Sequence, residues 1–310
     1  KFFKENKEIL KSVALIVVPL IILFTMFGIV NLQKDDTTPV EVIEVIGVVS
    51  NPFEDVDILA RSAIVKDLNT GKVLYAKEEN IARPLASITK AMTALVFEEN
   101  DRREVVSITL DDLNNDSDSQ LWLGENFYRD DLIDLTLISS SNTGASALAA
   151  GAINFTSTGK DNFIERMNSV AKKIGMKNTR FYNETGLDSG EFKAGAHGSV
   201  TDIAKLFEYV LQNNPSLLES TRESNISIRS ITGLIHNLEN TNEIVSELPN
   251  TIASKTGTTN LAGGNLAVVI DPALNRPVAI VVLGSTENGR FDDVSLLSKK
   301  VIEYFDFINN

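Results

Sequence analysis

Cysteine is absent from the 310 residues, which excludes disulfides, thiolate metal sites, iron–sulfur clusters and a cysteine nucleophile. Histidine is nearly absent. His197 and His236 are the only two, in no HExxH or His-x-Glu pattern, so neither a zinc hydrolase nor a Ser-His-Asp triad is expected and both rings are read as structural. Positive charge is in deficit, with 29 Lys and Arg against 42 Asp and Glu for a net charge of −13. A chain without a basic footprint is not expected to bind nucleic acid. Nothing in the composition calls for a metal or cofactor, and any nucleophile must be activated by something other than imidazole.

One stretch is long, apolar and free of charge. Val13 to Val30 reads VALIVVPLIILFTMFGIV, and with Asn31 and Leu32 it reaches the length of a bilayer-spanning helix in which Pro19 and Gly28 are tolerable. Lys1, Lys4, Lys7 and Lys11 precede it, whereas Lys34 is followed at once by Asp35 and Asp36. The positive-inside rule therefore puts residues 1–12 in the cytoplasm, 13–32 in the membrane and the rest outside the cell. A cleaved signal peptide is the alternative, but the run is long for one and no small-x-small cleavage site follows.

Residues 33–57, with Asp35, Asp36, Pro39, Gly47 and Pro52, read as a linker, leaving 58–310 as one globular domain. From Ala60, ARSAIVKDLNTGKVLYAKE alternates apolar and polar residues around Asn69-Thr70-Gly71, the pattern of a β-hairpin. Helical periodicity follows in Ile88–Phe97, Leu132–Ala150, Phe163–Ile174 and Ile203–Val210. Short β-branched runs close the chain at Ile252–Thr258, Asn265–Ile270 and Pro277–Leu283, before a last helix over Val294–Phe307. Strands at both ends enclosing helices predict an α+β fold: one antiparallel sheet built from the two termini, with a helical lobe inserted between.

Ser87-Ile88-Thr89-Lys90 places a lysine one helical turn above a serine, where a neutral amine can take the hydroxyl proton. Ser157-Thr158-Gly159-Lys160 and Ser169-Val170-Ala171-Lys172 share the spacing. Ser87 is preferred because Pro84 sets up a helix start there, where free backbone N–H groups can hold an oxyanion. Ser140-Ser141-Asn142 falls near the middle of the Leu132–Ala150 region, and Lys255-Thr256-Gly257 on the first of the three closing strands. Each alone is a weak signal, but in the order Ser-x-x-Lys, Ser-x-Asn, Lys-Thr-Gly they form the signature of penicillin-binding proteins and class A β-lactamases.

The sequence from about Ala60 to the last helix resembles the low-molecular-mass D-alanyl-D-alanine carboxypeptidases. Further likeness lies in Arg83-Pro84-Leu85-Ala86, Gly175-Met176-Lys177-Asn178-Thr179 with Phe181, Gly186-Leu187-Asp188, His236-Asn237 ahead of Asn240, and Gly257-Thr258-Thr259 with Ala262-Gly263. The resemblance implies a β-lactamase/transpeptidase-like fold of five antiparallel strands flanked by helices, with an all-helical lobe. It implies that Ser87 attacks the bond between two D-alanines of a peptidoglycan pentapeptide and that Lys90 accepts its proton, with a pKa lowered by burial and by the Lys255 cation. Ser140 would pass the proton to the leaving amine, and Asn142 would hold the substrate amide and orient Lys90. Lys255 and Thr256, with Gly257 and Arg290, would receive the terminal carboxylate, and the N–H groups of Ser87 and Thr258 would form the oxyanion hole. β-Lactams would act as inhibitors.

Thr143-Gly144 stands where the family usually has Asp-Ala, the C-terminal β-rich domain of many relatives is not expected, and the N-terminal helix is expected to take the anchoring role that a C-terminal anchor has in them. Three other readings share the signature. A β-lactamase would need a water-activating glutamate, for which Glu165-Arg166-Met167-Asn168 is the candidate, although it fits the polar face of an amphipathic helix. A D,D-endopeptidase differs only in what the leaving amine carries. A wall sensor would keep the fold without turnover.

Overall fold

The computed structural model describes residues 51–100, 104–113, 121–152 and 160–309. The opening hairpin is β1 (Ser62–Asp67) and β2 (Val73–Lys77). Its turn is held by the Asp67 carboxylate, which accepts from Asn69 N at 2.9 Å and Thr70 N at 3.0 Å. After β3 (Arg83–Pro84) a single 3-10 turn, Ala86–Ile88, leads into α1 (Thr89–Asn100). Then come β4 (Val105–Ser107), the one-turn helix α2 (Leu110–Leu113), β5 (Asn126–Tyr128), α3 (Arg129–Ile138), α4 (Asn142–Ala152) and α5 (Lys160–Lys173). The chain continues through β6 (Arg180–Phe181), β7 (Ala196–Gly198), α6 (Val200–Asn213), β8 (Asn225–Arg229) and β9 (Ile235–Glu239). It closes with β10 (Thr251–Thr259), β11 (Gly263–Ile270), β12 (Val278–Ser285) and α7 (Gly289–Asn309).

The main sheet has five strands in the order β10-β11-β12-β1-β2, all antiparallel. The two ends of the domain meet where β1 pairs with β12, from Ser62 opposite Leu283 to Asp67 opposite Val278. The apolar runs of these strands are continuous because both faces are covered. Side chains alternate between the faces: Ile64, Ala267, Val269, Ala279 and Val281 point to a core shared with α6 and the helical lobe. Ala63, Val65, Leu266, Val268, Val278 and Ile280 point to a second core under α7, which supplies Phe291, Val294, Leu297, Val301 and Phe305 at helical spacing.

Two expectations change. The inserted lobe is not all-helical, because small sheets β3-β7-β6, β4-β5 and β8-β9 accompany its helices. These strands are two to five residues long, too short for alternation to stand out. Packing also reaches back before 58, with Phe53 buried in the second core and its ring stacked on Tyr75 at 6.0 Å. The 51–57 segment read as linker on composition is therefore partly core. Among the described residues no helix is long and apolar enough to cross a membrane. The expected anchor, 13–32, and residues 33–50 of the linker lie outside them.

Candidate active site

The turn that carries Ser87 is wedged between three neighbours. Asn265, on β11, donates from Nδ2 to the carbonyls of Pro84 and Leu85, both at 3.0 Å, and accepts at Oδ1 from Gly284 N at 2.8 Å. Gly257, on β10, lies so close that a methyl group there would stand 2.8 Å from Leu85 O and 3.0 Å from Ser87 N. Gly186 approaches closer still, leaving only 1.9 Å between such a methyl and Ala86 O. Ala86 itself is left-handed at φ 48°, a conformation that persists only where the surroundings impose it.

Ser87 thus enters α1 from a tight elbow, with Lys90 one turn on. Lys90 is fully buried, and its Nζ lies 2.7 Å from Ser87 Oγ, 2.6 Å from Asn142 Oδ1 and 3.1 Å from the Thr185 carbonyl. An amine so placed is within reach of the hydroxyl proton.

Ser140 and Asn142 do not lie mid-helix as the periodicity implied. The Leu132–Ala150 region is broken at 139–141, between α3 and α4, with Ser140 left-handed at φ 62°. Ser141 starts the second helix by accepting from Gly144 N at 3.0 Å. The break presents Ser140 Oγ to Lys255 Nζ at 2.8 Å and opens α4 with Asn142. It also accounts for Gly144, since a methyl there would come within 2.3 Å of Thr136 Oγ1 on α3.

On β10, Lys255 and Thr256 are buried. Burial, then the neighbouring Lys90 and Arg290 side chains, holds the Lys255 amine well below the usual lysine range. Thr256 donates from Oγ1 to Thr241 Oγ1 at 2.6 Å. Arg290, near the start of α7, is buried and donates to the Gly257 carbonyl at 3.3 Å and to Thr258 Oγ1; burial lowers its pKa first of all.

The structure therefore gathers Ser87, Lys90 and Asn142 in one hydrogen-bonded group and Ser140 with Lys255 in another. Gly257 brings β10 against the Ser87 N–H, while Arg290 bonds the residues on either side of that strand's Gly257–Thr258 peptide. Of the two other serines with the Ser-x-x-Lys spacing, one is described, away from this group. Ser169 donates to Glu165 O on an exposed stretch of α5, and Ser157 is outside the described residues. Glu165 is exposed, and Asn168 is taken up by backbone groups of Ile164 and Phe181. His236 pairs with Glu125 Oε1 at 2.7 Å, and the His197 ring meets Tyr182 edge-on. Among the described residues no three His, Asp or Glu side chains cluster as metal ligands would.

Thr185, Thr241 and Asn265 carry no motif and were not legible as site residues. Thr185 acts through its carbonyl, which any residue possesses. Asn265 acts through the fold, across a sheet whose pairing the sequence does not print. Only Gly186, quoted above in the family likeness, hinted that this loop closes on the site.

A model of the family described as D-alanyl-D-alanine carboxypeptidase, peptidase S11, matches residues 48–287. The D-alanyl-D-alanine endopeptidase of Escherichia coli K12 is 34% identical over 236 residues, covering 73% of this chain and 72% of the relative. The D-alanyl-D-alanine carboxypeptidase DacF of Bacillus subtilis is 31% identical over 238 residues, 74% of this chain and 59% of its own. Among solved structures, a D-alanyl-D-alanine carboxypeptidase from Mycobacterium tuberculosis superposes with a TM-score of 0.70 at 25% identity, covering 80% of this chain and 92% of the other. Ampicillin-bound penicillin-binding protein D2 from Listeria monocytogenes gives 0.65 at 25%, covering 79% and 98%.

Proposed function

The chain belongs to the D-alanyl-D-alanine carboxypeptidase family of serine peptidases, and from that premise we infer how its residues divide the work of releasing the last D-alanine of a peptidoglycan stem. The observation that carries the assignment is the Lys90 amine 2.7 Å from Ser87 Oγ, beside a second pair, Lys255 and Ser140, at 2.8 Å. Lys90 takes the Ser87 proton as Oγ adds to the carbonyl carbon of the penultimate D-alanine, and the N–H groups of Ser87 and Thr258 receive the oxyanion. As the C–N bond breaks, Ser140 hands a proton to the departing amine, and the proton held on Lys90 replaces it. Water then adds to the Ser87 ester with Lys90 again as base, releasing the shortened stem and restoring the serine. Asn142 holds the substrate amide, and Lys255, Thr256 and Arg290 hold the terminal carboxylate, which restricts the reaction to chain ends.

β-Lactams present a strained amide to the same serine and so inhibit. The ampicillin- and cefotaxime-bound forms of the Listeria protein support this reading. The apolar run 13–32 supports a single-pass anchor in a bacterial cell membrane, with a cytoplasmic N-terminus and an extracytoplasmic catalytic domain. The names of the Escherichia coli and Pseudomonas aeruginosa relatives, both D-alanyl-D-alanine endopeptidases at 34% identity, favour a second activity on cross-links. Incubation with a soluble pentapeptide and with a cross-linked stem dimer separates the two. Free D-alanine from the pentapeptide is expected, and cleavage of the dimer alone would displace the carboxypeptidase reading.

The depressed Lys255 pKa gives a further expectation. The carboxylate anchor needs the cation, and this lysine loses its proton at a lower pH than an ordinary one, near 10.4. The alkaline limb of kcat/KM therefore falls below that value. Arg290→Gln removes one of the cations that depress Lys255, so the limb moves to higher pH while kcat/KM drops by about tenfold. A pH–rate profile of both proteins checks the sign of the displacement.

A further inference from the structure

Three consecutive residues of the loop after β6 pack against the catalytic elbow or the helices beside it. Gly186 presses on Ala86, Thr185 offers its carbonyl to Lys90, and Glu184 has no part in the chemistry above. Glu184 is nevertheless buried, at 7% exposure, and a carboxylate is rarely taken out of water without partners. Its main-chain carbonyl accepts from Thr93 Oγ1 at 2.6 Å, and its Oε1 accepts from Ser146 Oγ at 2.9 Å. Thr93 is one turn beyond Lys90 on α1, and Ser146 is one turn beyond Asn142 on α4, so each shares a helix face with its catalytic neighbour.

Glu184 therefore bridges α1 and α4 one turn below the point where Lys90 meets Asn142 at 2.6 Å. The two helices contribute one half each of that contact, and among the described contacts the Glu184 bridge joins the same faces through hydrogen bonds at fixed length. A slide of one helix against the other would open the Lys90–Asn142 contact first. It would also turn the amine away from Ser87 Oγ, because Asn142 and Thr185 both set its direction.

We propose that Glu184 is a positioning residue for acyl transfer: through Ser146 and Thr93 it fixes α4 against α1 and so keeps Lys90 aimed at Ser87. This rests on the serine-acylation reading above. The working element is the hydrogen bond to Ser146, not the carboxylate charge, so an amide at the same place suffices.

The test measures kcat and KM for D-alanine release and the rate of acylation by a fluorescent penicillin, for the full chain and for Ser146→Ala, Glu184→Ala, Glu184→Gln and the Ser146→Ala/Glu184→Ala double variant, each with its melting temperature. Ser146→Ala and Glu184→Ala are expected to lower kcat and the acylation rate by about tenfold each, with KM within about twofold, since Lys255, Thr256 and Arg290, which hold the carboxylate, lie on neither helix. The double variant should be no slower than the worse single one, because both remove the same bond. Glu184→Gln should stay within about threefold of the parent, its amide oxygen accepting from Ser146. Parent-like rates in both alanine variants, multiplying losses in the double variant, or a glutamine variant as slow as the alanine one would each overturn the proposal. If Glu184→Ala does not fold, Ser146→Ala, which removes one hydroxyl, decides the matter alone. If the parent itself is not acylated, the serine assignment has failed rather than the role of Glu184.

Discussion

A Ser87→Ala variant takes up no fluorescent penicillin, whereas the parent gives one labelled band, and D-alanine release falls by at least about 10⁴-fold. The size of the effect follows from geometry. Ser87 Oγ is the hydroxyl that the buried Lys90 amine meets at 2.7 Å and that β10 overhangs at Gly257. Ser140 cannot take its place, because its Oγ already accepts from Lys255 at 2.8 Å and it sits in the break between α3 and α4, away from the helix start that carries the nucleophile. Lys90→Ala should be nearly as damaging, since it removes the proton acceptor and the partner of Asn142 and Thr185 together. Gel fluorescence and peptide mapping check both variants. A label that survives Ser87→Ala and maps to another serine would overturn the assignment.

Gly186→Ala should lose about 3–5 kcal/mol of stability and, where the protein still folds, its acylation as well. Two costs add there. The residue is left-handed at φ +82°, and the added methyl would stand 1.9 Å from Ala86 O and 2.5 Å from Ala86 C, backbone atoms that can yield only by moving the nucleophile's turn. Gly71→Ala is the natural control, for φ +73° is similar but nothing lies within 4 Å of its new methyl. Strain alone costs about 1–2 kcal/mol, so urea unfolding of the two variants separates strain from collision. Equal losses would mean that the loop yields without resistance.

These contacts show why the fold was more legible than the site's supports. The hairpin at 62–77 and the three closing strands carry their evidence locally, in alternation and in turn residues such as Asn69 and Gly71. The helix break at Ser139–Ser141 does not. Its apolar spacing continues from α3 into α4, and the interruption is made by packing, with Ser140 forced left-handed and Gly144 pressed on Thr136. Ser87, Lys90, Asn142 and Lys255 could be found because their chemistry restricts them to particular side chains. Thr185 and Asn265 could not, since a carbonyl and a cross-sheet amide are fixed by where the chain has been carried.

The pairing of β1 with β12, Ser62 against Leu283, has a consequence for how the molecule comes into being. Contacts so far apart in sequence form slowly, because loop closure is unfavourable until both segments are present. A ribosome must deliver the chain through Ser285 before the sheet can join, and Lys255 emerges only shortly before that strand. Chains stopped ahead of β12 are expected to be inert rather than weakly active, because β11 and β1 then lack the strand that joins them.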